Sequence, residues 1–315
     1  MDVQEKPSSG AQPESRKKAS SEFASAQPGV ILWPIEPFET TSEDLGPMSR
    51  LVNLWKSASP GQQVLPVSMV GREDVRWPDE VMASIDGMLE PRILVQPSST
   101  RSQSIHRVIE LARQEGAEVI AATTHAEKSR GRIRLGGFTE NLITHSSVPV
   151  LTLNPHSKIP EQISTILMPT DFAPGSKAIF NRVVEWAYRF KAKVIVVNKF
   201  DNPVPVFAYG PYTSTVDGEI IAQLMQDAAK IRQHHGHRWA ADAARKGVHC
   251  EMMFDRGAES LDEMILNYAT ETDTDLIVMA TYRGTLGRLF LGSVARDVLV
   301  TASCPVLVIH DQLQP

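Results

Sequence analysis

Cysteine is nearly absent from this chain. The two cysteines, Cys250 and Cys304, lie far apart, in or beside apolar runs. Two thiols without close spacing suggest neither a disulfide framework nor a zinc site built on cysteine pairs. We therefore expect both to be buried free thiols in a reducing compartment.

Long apolar runs and an excess of basic residues are also missing. No run approaches the roughly 18 apolar residues that a membrane-spanning helix needs, and the N-terminus lacks the charged-then-apolar pattern of a signal peptide. The formal net charge of −5 argues against a nucleic-acid-binding protein. We expect a cytoplasmic protein that has neither nucleic-acid nor membrane partners.

The composition from residue 29 onward is that of a globular protein. The chain has 315 residues, 42% apolar and 22% charged, which is enough for two domains of common size. Residues 1–28 are rich in Ser, Pro, Gln, Lys and Glu and nearly free of large apolar side chains. Such a segment cannot bury enough surface to offset its ordering entropy, so we predict a disordered tail.

Short apolar runs alternate with segments of helical periodicity along the first half. This alternation predicts parallel strands joined by right-handed helical crossovers. The predicted strands are a run from Val30 that ends at prolines, Val64–Val70, Arg92–Gln96, Glu118–Ala122 and Val148–Leu153. The predicted helices are Leu45–Trp55, Asp79–Leu89, a segment around residues 105–112 that Gly116 ends, and residues 136–143, with a basic loop over Thr123–Leu135.

The second half repeats the first. ILWPIE at Ile31 matches ILMPTD at Ile166, and SVPVLTL at Ser147 matches SCPVLVI at Ser303. This repeat predicts two tandem doubly wound parallel-sheet domains, 29–154 and 163–311, of roughly five strands each. In the second half, residues 201–217 are a long predicted loop, and Glu219–Lys246 is one predicted helix that could break at Gly236.

The stretch from Asp275 to His310 carries the most informative pattern. It predicts strand, loop, helix and strand, with Gly292 and Ser293 at the start of the helix. The first backbone N–H groups of a helix have no intrahelical acceptor, and such a place binds anions, above all phosphate. Gly and Ser also serve simply to end a loop and cap a helix, so both interpretations stay open.

The order of residues in this stretch resembles a known family. DLIVMATYRGTLGRLFLGSVARDVL followed by CPVLVI is similar to the C-terminal third of the universal stress protein family. The family's ATP-binding members carry Gly, two residues, Gly, nine residues, then Gly followed by Ser or Thr. Here the last pair is intact as Gly292-Ser293, Ala280 stands at the first glycine, and the second is missing. Gly284 and Gly287 have the right mutual spacing but the wrong distance to Gly292.

The resemblance implies an adenine nucleotide, ATP above all, in the second domain. Asp171 would then contact the adenine, and Gly292 and Ser293 would contact the phosphates. Asp171 equally suits a turn cap, since Asp favours turns. The first half has Glu36 at the place of Asp171, and at the glycine positions it has Thr123, Ala126 and the pair Gly136-Gly137. We expect no nucleotide there, because side chains obstruct a close backbone approach.

Two functions remain open at this point. One is a stress-response regulator that binds adenine nucleotide in its second domain, and the other is a nucleotide-free scaffold for a protein partner. We expect no enzyme, since even a slow ATPase would need a general base that no motif supplies. No metal site is predicted, because His234, His235 and His237 do not share a helix face.

The resemblance also implies how the two halves meet. Single-domain family members commonly dimerise by placing their final strands side by side, and this chain holds both copies, Val148–Leu153 and Pro305–Ile309. An apolar strand at an open sheet edge is an aggregation liability, which mutual coverage would remove. We predict an internal pseudo-dimer with these strands adjacent and antiparallel. Homodimers of whole chains are compatible with it.

Overall fold

The structure is a computed structural model that describes residues 29–35, 42–70, 77–95, 101–124, 127–129, 132–173, 175–200, 218–281 and 291–310. The predicted tail at 1–28, Glu36, Ala126, the predicted loop at 201–217 and the glycines Gly284 and Gly287 lie outside these residues. Among the described helices, none combines the length and the apolar composition that crossing a bilayer would require.

The first half alternates strands and helices in the predicted order. Its main strands are Val30–Pro34 (β1), Gln63–Val70 (β2), Arg92–Val95 (β3), Ala117–Thr123 (β4) and Val150–Leu153 (β7). Its helices are Ser42–Ser57 (α1), Asp79–Ser84 (α2), Arg101–Gln114 (α3) and Gly137–His145 (α4). A short hairpin, Glu127–Ser129 (β5) with Arg132–Arg134 (β6), precedes α4.

The second half follows the same plan. Its strands are Thr165–Pro169 (β8), Lys193–Lys199 (β9), Cys250–Asp255 (β10), Leu276–Thr281 (β11) and Val306–His310 (β12). Its helices are Ser176–Phe190 (α5), Gly218–Arg245 (α6), Leu261–Glu271 (α7) and Ser293–Thr301 (α8).

All ten main strands form one sheet. Its order is β10-β9-β8-β11-β12-β7-β4-β1-β2-β3, so each half contributes five strands in the same relative order. Every pair within a half is parallel, as a doubly wound fold requires. The predicted fold class is confirmed.

Helices cover both faces of this sheet. One core cluster combines side chains of β1, β8, α1, α5 and α6, and the other combines side chains of β2, β11, α3, α4, α7 and α8. Each cluster therefore takes residues from both halves. In α5, Ile179, Val183, Trp186 and Ala187 recur at helical spacing and are all buried, which shows why this segment is a helix with one face on the sheet.

Three elements differ from the sequence prediction. The basic loop contains the β5–β6 hairpin. Helix α2 ends at Ser84 and not at Leu89, because the chain turns through Gly87 at φ +73 and Leu89 N then donates to Val64 O at 2.9 Å. Helix α6 runs unbroken through Gly236, where an added Cβ would lie 2.8 Å from Phe254 and 2.9 Å from Met252. Close packing against Phe254 and Met252, and not a helix break, explains why residue 236 is a glycine.

The two halves meet at an antiparallel pair of strands, here called the seam. Val150, Leu151 and Thr152 of β7 pair with Val308, Leu307 and Val306 of β12. The predicted adjacency and direction of these strands are confirmed. On one face of the sheet, Trp55 of α1 packs edge-to-face on Trp186 and Phe190 of α5, with ring centroids 5.6 and 5.1 Å apart.

A carboxylate beside the seam, with its side chain 13% exposed, joins the halves further. Glu118 of β4 accepts hydrogen bonds from Trp186 Nε1 at 2.6 Å, from Gln62 Nε2 at 2.5 Å and from the guanidinium of Arg189. Burial by itself raises the pKa of Glu118. The hydrogen bond and charge of Arg189, the hydrogen bond of Trp186 and the charge of Arg182 outweigh it, so the pKa lies below its ordinary value.

Replacing Glu118 with Gln is expected to lower the free energy of unfolding at pH 7 by about 2–4 kcal/mol, because Arg189 loses its buried anionic partner. The folded-state pKa is depressed, so this contribution is present above the unfolded-state pKa and is lost as the pH falls through the folded-state pKa. Urea unfolding of both proteins should therefore show a difference that narrows in acid.

Glu115→Gln is the matched control for this prediction. The ion pair of Glu115 with Arg92 is more exposed and lies within one half, so the expected loss is about 0–1 kcal/mol. Equal losses for the two variants, or a Glu118→Gln loss that does not change with pH, would contradict the assignment.

Candidate functional site

The second half has its topological switch point between β8 and β11. The chain leaves β8 toward β9 and β10 on one side and crosses back to β11 on the other. The adjacent carboxyl ends of these two parallel strands open a crevice, which is where doubly wound sheets bind their ligands. Asp171 follows β8, and the segment after Thr281 leads from β11 to Gly292 and α8.

Asp171 is exposed and begins a tight turn before α5. Its Oδ1 accepts from Ala173 N at 2.9 Å and from Ser176 Oγ at 3.2 Å. The turn-capping role that the sequence left open is therefore present. These bonds also fix the position of the carboxylate at the switch point.

The residues around Asp171 hold this turn rigidly. Phe172 has a left-handed φ of 59°, and its N–H donates to Thr170 Oγ1 at 3.1 Å. Its ring packs against Trp239 of α6 at a centroid distance of 4.9 Å. Buried Asn198, at the end of β9, donates from Nδ2 to Thr170 O at 2.6 Å. Sequence analysis missed Phe172, Thr170 and Asn198, and an asparagine inside the apolar strand VIVVNK was the available signal.

Gly292 is the N-cap of α8, and no side chain caps this helix. Arg296 N makes the first intrahelical bond, to Gly292 O at 3.0 Å, so the N–H groups of residues 293–295 have no acceptor within the helix. Gly292 has φ −61° and ψ 157°, which any residue adopts. An added Cβ there would meet no described atom within 4 Å. Gly292 itself is exposed.

The position that the resemblance assigns to the first glycine lies inside a strand. Ala280 pairs with Ile309 and Thr281 with His310, so β11 is still extended at both residues. Thr281 is buried, and its Oγ1 lies 2.6 Å from His310 Nδ1. The strand therefore continues where the ATP-binding members have a glycine.

The corresponding place in the first half is chemically different. Gly136 is the N-cap of α4, as Gly292 is of α8, but the first turn of α4 carries Glu140. The first turn of α8 carries no acidic residue. A carboxylate near a helix N-terminus already interacts favourably with the helix dipole and repels a second anion.

No metal site or reactive thiol emerges from the described part of the chain. It contains no group of three or more His, Cys, Asp or Glu side chains able to hold a metal ion. His234, His235 and His237 are exposed on α6. Burial raises the pKa of both Cys250 and Cys304 to about 12, so neither is a thiolate at neutral pH.

Comparison with known proteins identifies the family. The model of the universal stress protein family matches residues 162–310. Over 145 residues the chain is 32% identical to Universal stress protein MJ0531 of Methanocaldococcus jannaschii, covering 46% of this chain and 80% of that protein. The chain belongs to the universal stress protein family. A Thermus aquaticus member, Universal stress protein in QAH/OAS sulfhydrylase 3'region, is 32% identical over 150 residues, covering 46% of this chain and 98% of that protein.

Two solved structures share the fold of the whole chain. A universal stress protein from Archaeoglobus fulgidus has a TM-score of 0.64 at 14% identity, covering 91% of this chain and 100% of its own. A putative universal stress protein from Pseudomonas aeruginosa has a TM-score of 0.56 at 16% identity, covering 92% and 95%. The two-half architecture is thus a form of the universal stress protein fold.

The geometry at Asp171 predicts different outcomes for two substitutions there. Asp171→Ala removes the acceptor of two hydrogen bonds and should cost about 1 kcal/mol of stability, comparable to the loss of a helix cap. Asp171→Asn keeps an oxygen acceptor, so its thermal midpoint should stay near that of the parent. If thermal melts show no difference between the two variants, the turn does not depend on this side chain.

Proposed function

We propose that this universal stress protein is a regulatory protein that binds one adenine nucleotide, at the switch point of its second half. The asymmetry between the two equivalent helix ends carries the proposal. Helix α8 begins at an exposed glycine and has no acidic residue in its first turn, whereas α4 has Glu140 in its first turn. Only the N-terminus of α8 therefore suits a phosphate group.

The turn after β8 supplies the second part of the proposed site. The Asp171 carboxylate is fixed at the adjacent strand end by the bonds to Ala173 and Ser176. In the family resemblance this aspartate contacts the adenine, while Gly292 and Ser293 contact the phosphates. We propose binding without turnover, because the sequence shows no motif that would supply a general base.

A nucleotide-free scaffold is the alternative function. It is favoured by one observation, that β11 stays extended through Ala280 and Thr281 and is paired with β12 there.

Native mass spectrometry of protein purified without added nucleotide distinguishes the nucleotide-binding regulator from the nucleotide-free scaffold. One adenine nucleotide per chain, co-purifying or bound on addition of ATP, supports the proposal, and a chain that remains nucleotide-free after ATP addition supports the scaffold.

Calorimetric titration with ATP is expected to give one site per chain. Gly292→Val should weaken binding by about tenfold or more, because its branched side chain occupies the space before the helix end. Asp171→Asn should also weaken binding while leaving the turn intact.

Gly136→Val is the matched control, since it changes the equivalent helix end in the first half and should bind ATP like the parent. Thermal melts of all three variants confirm that each is folded. Two equivalent sites per chain would contradict the proposal, as would unchanged affinity in both Gly292→Val and Asp171→Asn.

A further inference from the structure

The seam brings equivalent residues of the two halves face to face. Leu151 and Leu307 hold the same place in SVPVLTL and SCPVLVI, and they lie opposite each other in the antiparallel pair. A two-fold relation therefore passes between them. In such an arrangement each contact from one half to the other has a counterpart, so equivalent residues can be compared directly.

One hydrogen bond across the seam occurs twice, once from each half, but the two donors are different types of side chain. Asn154, just after β7, donates from Nδ2 to Leu299 O at 3.3 Å and to Ala302 O at 2.8 Å in α8. Its equivalent, His310 at the end of β12, bonds through Nε2 to Ile143 O in α4. Ile143 and Leu299 are themselves equivalent. The geometry is two-fold, but one half uses an amide and the other an imidazole.

A second pair of equivalent residues has opposite charges. Glu140 and Arg296 are each the fourth residue after the N-cap glycine of their helix. They form an ion pair across the seam. Their side chains are 33% and 43% exposed, respectively. Two first halves meeting in the same way would place Glu140 against Glu140. Two second halves would place Arg296 against Arg296.

The carboxylate of Glu118, on the other face of the sheet, also has its cation in the unlike half. Glu118 of the first half depends on Arg189 of the second. When α1 and α5 are aligned from the matching strands β1 and β8, the residue equivalent to Arg189 is Leu54. Two first halves would therefore bury Glu118 without a guanidinium, and an unpaired buried charge is strongly unfavourable.

We propose that the seam is an interaction surface that favours the unlike half of this protein over a second copy of either half. The partner that fits the first half must present a cation opposite Glu140 and a guanidinium beside Glu118, and the second half presents both. Like pairing, whether of two first halves or of two second halves, brings equal charges together. The duplicated halves have thus diverged from a self-pairing surface into two complementary surfaces, with specificity set by repulsion as well as attraction.

Three full-length variants test this inference. Glu140→Arg and Arg296→Glu each make the seam pair alike in charge, and the double variant restores an unlike pair with the charges exchanged. Each single variant should lower the thermal midpoint by about 2–4 °C, less so in high salt, and the double variant should recover most of the loss. Hydrogen exchange in the single variants should increase in β7 and β12 together.

Glu115→Arg provides the matched control, because it places like charges in an ion pair of similar exposure that lies wholly within the first half. Its effect on hydrogen exchange should stay in the first half and not reach β12. The inference is overturned if the single seam variants melt like the parent, or if the double variant loses as much as the two singles combined.

Discussion

The antiparallel pairing of β7 with β12 is the contact on which the rest of the structure depends. Each half ends in an apolar strand whose residues are all buried except His310 at the end of β12, and neither strand could stand at an open sheet edge without exposing that surface and an unpaired row of backbone groups. Pairing the two strands makes one sheet of ten. The helices on each face then share a core that crosses from one half to the other.

The two halves share their strand order but differ in the residues at the candidate site. Both halves keep the strand order and a switch point. Among the described residues, Asp171 follows the first strand of the second half, and the first turn of α8 carries no acidic residue. In the first half, the equivalent helix end carries Glu140, which is paired with Arg296 across the seam. Glu140 thus distinguishes the two helix ends and also helps to join the two halves.

The sequence was sufficient for the fold because its signals are local. Apolar runs, helical periodicity and the repeat of matching segments predict the strands and the crossovers, and the family resemblance implies the seam. The roles of individual residues whose contacts lie far away in the sequence were not predictable. Gly236 suggests a helix break until Met252 and Phe254 are seen packed against it. Trp186 and Arg189, which bond Glu118, lie about 70 residues away in α5, and no spacing rule connects them with it.

The candidate site was predictable only in part for a related reason. Asp171 and Gly292 are marked by short motifs, but the turn that holds Asp171 depends on Phe172 in a left-handed conformation and on Asn198 from the neighbouring strand. Propensity does not predict a left-handed phenylalanine. The packing of its ring on Trp239 stabilises it, and that contact exists only once α6 is in place.

The central claim is that the seam makes the two halves a single cooperative unit. Differential scanning calorimetry of the unmodified chain tests it most directly. We expect one transition whose calorimetric and van't Hoff enthalpies agree. The reason is that neither half can unfold its seam strand without exposing the seam strand of the other half. Two separable transitions, each with the enthalpy of one half, would contradict the account.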